Sequence, residues 1–85
     1  VVVSSSRYQQ FRPDVILMAI TSNTSAPRRF GDVDVADWAG AGLLKPSRVK
    51  PVIVTIQRNL VRRRLGHLGS GDITALSQSL SEVLG

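Results

Sequence analysis

Residues 15–20 (VILMAI) form an unbroken apolar run, set between Pro13-Asp14 and the polar stretch Thr21-Ser22-Asn23. The run is too short for a typical helix and has no polar face, so it reads as a β-strand covered on both sides, the central strand of a small sheet. Everything else must pack around it. At 85 residues a chain buries only about 60–65% of its unfolded surface and supports one core, so residues 1–85 read as a single domain. There is no cysteine, so no disulfide or thiolate metal site supplements that core. Hydrophobic residues at 42% and charged residues at 20% exclude the composition of a disordered segment.

Flanking segments follow from their patterns. Val1-Val2-Val3 before Ser4-Ser5-Ser6 reads as a strand end running into a polar loop that exposes Arg7, Tyr8, Gln9 and Gln10. The chain opens on valine inside that strand, with no initial methionine, which predicts an N-terminally shortened chain. Residues 21–31 (TSNTSAPRRFG) collect turn formers and read as an exposed loop. Residues 32–35 form a short alternating strand, and residues 37–44 a single helical turn capped by Asp37, with Trp38 anchoring it to the core. Residues 52–57 alternate in the manner of a strand, with Val52, Val54 and Ile56 on one face. Residues 60–68 read as its hairpin partner. Ile73, Leu76, Leu80, Val83 and Leu84 make the apolar stripe of a C-terminal amphipathic helix with Asp72 as N-cap and Gly85 at its end. The sum is a mainly β fold with a C-terminal α-helix. Val15, Leu17, Val52, Val54 and Ile56 are expected to share a core with Leu76, Leu80 and Val83.

Charge is unevenly spread. All 11 Lys and Arg lie in residues 1–64 against four acids, leaving +7, while residues 65–85 carry −2. A basic body of pI near 11.2 suits a polyanionic partner such as RNA, or an acidic protein tail, and equally describes a merely soluble basic surface. No apolar run approaches the roughly 20 residues that span a bilayer, so the sequence reads as soluble and cytoplasmic, without a membrane partner.

Few residues offer chemistry. With one histidine and no cysteine, a two-histidine ribonuclease mechanism is excluded, and His67 reads as a surface residue. Asp32, Asp34 and Asp37 lack the glutamate that completes a calcium loop, and residues 66–71 lack the lysine of a phosphate-binding loop. No metal and no cofactor are expected. What remains is hydroxyls and guanidiniums: Thr21, Ser22, Asn23, Thr24 and Ser25 beside Arg28 and Arg29, displayed at the end of a buried strand. Arginines grip phosphate bidentately, and with the hydroxyls they could stabilise the charge that builds when a ribose 2′-OH attacks phosphorus. The same cluster is also ordinary turn chemistry.

Several segments read together resemble the MazF/PemK toxins in order and spacing across nearly the whole chain. They are Ala19-Ile20-Thr21-Ser22, Ala41-Gly42-Leu43-Leu44-Lys45-Pro46-Ser47 leading to Val49-Lys50-Pro51, and Leu65-Gly66-His67-Leu68 before the C-terminal helix. The resemblance implies a twisted SH3-like barrel with a C-terminal helix, working as a homodimer. It also implies metal-independent cleavage of single-stranded RNA at short motifs, leaving 2′,3′-cyclic phosphate and 5′-OH ends, and neutralisation by a cognate antitoxin. Thr21 corresponds to the threonine that contacts the scissile phosphate, with Ser22 assisting; Asn23, Arg28 and Arg29 are the expected RNA-binding residues, with at least one of Arg62, Arg63 and Arg64 adding charge toward RNA or antitoxin. The family's principal catalytic arginine belongs to an Arg-Pro pair ahead of the strand that here begins Val1-Val2-Val3. That pair is absent from this sequence, as is the hairpin carrying it, so the resemblance implies an incomplete barrel and an inactive chain with little or no cleavage. Arg12-Pro13 precedes the following strand and is not assigned that role. The competing readings are a non-catalytic nucleic-acid-binding barrel and a structural remnant that dimerises or sequesters antitoxin.

Overall fold

The computed structural model describes residues 1–61 and 65–85. The apolar run becomes β1 (Asp14–Thr21), one residue longer at each end. Two further strands follow, β2 (Val33–Asp34) and β3 (Arg48–Gln57), in the antiparallel order β1-β3-β2. β3, rather than the apolar run, is thus the middle strand. The outer edge of β1 is not bare, because residues 1–3 lie along it: Val3 N–H donates to the Ile16 carbonyl and Met18 N–H to the Val1 carbonyl, both at 2.8 Å, with Val2 bridging to Leu17. The β1–β3 register slips between Met18 and Ile20, from Met18 opposite Ile53 to Ile20 opposite Val49. Such an irregularity bends a strand and re-aims the side chains beyond it.

Two local expectations are corrected. The stretch read as an exposed loop around Arg7 to Gln10 is a short helix, α1 (Ser6–Phe11), because Ser5 caps it by accepting the Tyr8 N–H at 3.1 Å and Arg and Gln have good helix propensity. The hairpin partner expected over residues 60–68 is not found at its described positions. Arg58–Leu60 is a 3₁₀ turn, Val61 and residues 65–69 are irregular, and residues 62–64 lie outside the described residues. At the start of this stretch Arg58 is tied to the end of α1, its guanidinium reaching the Gln9 and Arg12 carbonyls while its N–H donates to the Pro13 carbonyl at 2.8 Å.

The buried cluster consists of Met18, Val33, Val35, Val49 and Leu76, with Val1, Val3, Trp38, Leu43, Leu68, Ala75 and Leu80 packed against it. The core therefore sits where all three strands overlap. Val15 and Leu76 are buried as expected, but Val52 and Val54 are 54% and 47% exposed and lie outside the buried cluster. Leu17 and Ile56 face Leu76 and Leu80 across an apolar groove of about 850 Å³, so among the described residues the sheet is not closed into a barrel. Met18→Ala is expected to cost about 2–5 kcal/mol and Val52→Ala less than about 0.5 kcal/mol, read from urea unfolding midpoints. Equal losses at the two positions would contradict this placement of the core.

The C-terminal helix, α2 (Ser70–Leu84), begins with Gly69 in the capping position rather than Asp72. Asp72 is drawn into the first turn and buried, its two oxygens accepting the Ala36 and Asp37 N–H groups at 2.8 and 3.0 Å. The buried face of the helix is Asp72, Leu76 and Ser79, while Ile73 and Leu84 of the expected stripe are exposed. The Ser79 hydroxyl donates to the Gly31 carbonyl at 2.7 Å and ties the helix to the loop before β2. The helical turn expected over residues 37–44 is instead a run of hydrogen-bonded turns at residues 36–42, with Ala41 N–H on the Asp37 carbonyl and Gly40 N–H on the Asp37 carboxylate, both at 3.1 Å. No helix among the described residues is long and apolar enough to cross a membrane.

Candidate active site

Thr21 is the last residue of β1 and lies opposite Arg48 in the ladder. Its Oγ1 accepts the Asn23 N–H at 3.1 Å, the Ser22 carbonyl accepts the Thr24 N–H at 3.0 Å, and the Ser25 hydroxyl donates to Asn23 Oδ1 at 2.9 Å. Thr21, Ser22 and Asn23 are therefore brought together in one tight turn. Ser22 and Asn23 are exposed and Thr21 half-buried. Among the described residues the Thr21 hydroxyl accepts this one bond and donates none, so its proton is open to a partner outside the turn.

Beside Thr21 runs a row of charge across the sheet. Arg48, 4% exposed, donates from Nε to Asp34 Oδ1 at 2.6 Å, from Nη1 to the Ala26 carbonyl at 2.7 Å and from Nη2 to the Thr24 carbonyl at 3.2 Å. Asp34 is Arg48's ladder partner on β2, so Thr21, Arg48 and Asp34 stand in one row about 10 Å across. One pleat further along, Lys50 Nζ donates to Asp32 Oδ2 at 3.0 Å. The Asp32 carboxyl is held below its ordinary range by the Arg29 N–H and then by Lys50, against the opposing effect of its burial.

The two expected phosphate-binding arginines reach this row by different routes. Arg28 is exposed, with its Nε 3.8 Å from Asp34 Oδ2. Arg29 is held through its backbone, its N–H donating to Asp32 at 3.0 Å and its carbonyl accepting the Asp32 N–H at 3.0 Å, which leaves an exposed side chain. His67 is exposed and borders the apolar groove. The three aspartates weighed as a calcium loop go to separate partners: Asp32 to Lys50, Asp34 to Arg48, Asp37 to Gly40.

A family model described as the PemK-like, MazF-like toxin of type II toxin-antitoxin systems matches residues 1–84. The chain belongs to this toxin family. Among solved structures, the PemK/MazF-like chain is similar to the Mycobacterium tuberculosis toxin MazF-mt6 at 21% identity and TM-score 0.82, over 99% of this chain and 82% of that one. It is also similar to a second Mtb toxin at 22% identity and TM-score 0.81, over 96% and 87% of the two chains. No curated protein sequence matches it. At these identities the structural likeness speaks to the fold, a mostly β architecture with a C-terminal helix.

Two of the segments that carry the resemblance to this toxin family meet in space. The backbone at Gly42 runs against the Leu65 carbonyl and that at Gly66 against the Ala41 carbonyl, closely enough that a methyl group on either glycine would collide with backbone atoms. The residues that reading the sequence missed are Arg48, Asp34, Asp32 and Lys50. Their signal was present: acids at 32 and 34 and bases at 48 and 50 share a two-residue spacing, which on paired antiparallel strands sets opposite charges face to face.

Proposed function

We propose that this toxin is a metal-independent endoribonuclease that cleaves single-stranded RNA at short motifs, with the Thr21 turn as its catalytic centre. The observation that carries the reading is Thr21 itself, a hydroxyl at the end of β1 that accepts the Asn23 N–H, in a loop whose exposed Arg28 and Arg29 follow in the chain. In the proposed reaction the ribose 2′-OH gives up its proton to water as its oxygen attacks the adjacent phosphorus, the P–O5′ bond breaks, and the 5′-oxygen takes up a proton from water. The products are a 2′,3′-cyclic phosphate and a 5′-OH. The Thr21 hydroxyl donates to a non-bridging phosphate oxygen, Ser22 assists it, and Arg28, Arg29 and Asn23 hold the strand by phosphate contacts. The +5 charge favours this polyanionic substrate and an acidic antitoxin. We place the toxin in the cytoplasm, as a single-domain chain working as a homodimer.

Incubating the protein with a single-stranded RNA oligonucleotide in EDTA tests the reading. Expected are discrete fragments with cyclic phosphate ends and activity that falls steeply with added salt, as phosphate contacts require. Salt-sensitive binding without cleavage would instead favour a non-catalytic nucleic-acid-binding barrel.

A further inference from the structure

We propose that Arg48 is a positioning residue of the RNA-cleaving site, holding the loop after Thr21 so that its donors face the substrate. This rests on the functional reading given above. A loop that receives a phosphate must turn its carbonyl oxygens away from it, since their partial negative charge repels the anion. Arg48 supplies the means. From a buried position opposite Thr21 it takes the carbonyls of Thr24 and Ala26 while Asp34 fixes its Nε. Every peptide bond here is trans, so with the Thr24 carbonyl aimed at the guanidinium the Ser25 N–H points the opposite way. No hydrogen bond among the described residues occupies that N–H.

Three acceptors in three directions demand a planar fork, which lysine does not have. Arg48→Lys keeps the charge beside Asp34, and with it the fold, but gives up the carbonyls. The decisive measurement is cleavage kinetics on a single RNA oligonucleotide for wild type and Arg48→Lys, alongside thermal melting and amide hydrogen exchange. Expected are a variant that melts cooperatively with β1–β3 amides still protected, faster exchange at residues 22–26, and kcat reduced on the order of 10²-fold with KM essentially unchanged. Should Arg48→Lys fail to fold, the double variant Arg48→Met/Asp34→Asn removes both charges and is expected to show the same loss in kcat. A folded variant that cuts at the wild-type rate, or one that raises KM alone, overturns the proposal. So does failure of both variants to fold, which would make Arg48 a support of the sheet. Wild-type protein that leaves RNA uncut has a different signature: it removes the functional reading, and this inference with it.

Discussion

Thr21→Ala is expected to lower kcat for RNA cleavage on the order of 10²–10³, the usual loss when one preorganised donor to a developing negative charge is removed. The fold should scarcely register the change. Thr21 is half-buried at a strand end and its side chain makes one hydrogen bond, to the Asn23 N–H at 3.1 Å, a contact worth about 1 kcal/mol. A large kinetic loss with a small loss of stability separates a catalytic hydroxyl from a turn-forming one. Thr21→Ser supplies the control, because it keeps the donor and acceptor and removes only a methyl group. It should retain most of the activity. If Thr21→Ala cuts as fast as wild type while melting at a clearly lower temperature, Thr21 serves the turn and the catalytic centre lies elsewhere.

How much of this site a sequence can reveal depends on the range of the interaction. That Thr21, Ser22 and Asn23 share one turn was legible because they lie within three residues at the end of an apolar run, where a strand end meets turn formers. Arg28 and Arg29 were legible as charges, but their different attachments were not. Which of the two pairs with Asp34 and which is held through its backbone depends on the path of a loop whose carbonyls are fixed by Arg48, residues away in sequence. The expected core failed at Val52 and Val54 for a related reason. Alternation along β3 marks a strand but not which face is covered, and Val52, Ile53 and Val54 are exposed on both faces. Asp72 shows the same limit at a helix end: a capping residue type at the right place was claimed by the N–H groups of Ala36 and Asp37, more than thirty positions earlier.

Gly42→Ala is expected to be the most disruptive methyl addition in the chain, costing more than about 4 kcal/mol against a total stability of about 5–15 kcal/mol for a domain of ordinary size. Two effects add. Gly42 has φ +85°, a left-handed conformation that costs an L-residue roughly 1–2 kcal/mol, and its new methyl would run into the Leu65 carbonyl oxygen, a backbone atom that no side-chain rotation can clear. The strain would fall on a junction made from both sides, since Gly66 packs against the Ala41 carbonyl in the same way and Ala41 is itself buried. Separating the two segments would draw Leu43 and Leu68 off the core cluster they pack against. Gly71→Ala is the matched comparison. It lies in the first turn of α2 with nothing within 4 Å of the added methyl, so it is expected to be neutral or to stabilise by about 0.5–1 kcal/mol. Urea unfolding of the two variants measures both, and a Gly42→Ala midpoint close to that of Gly71→Ala would mean that the 41–42 and 65–66 segments do not cross at backbone contact.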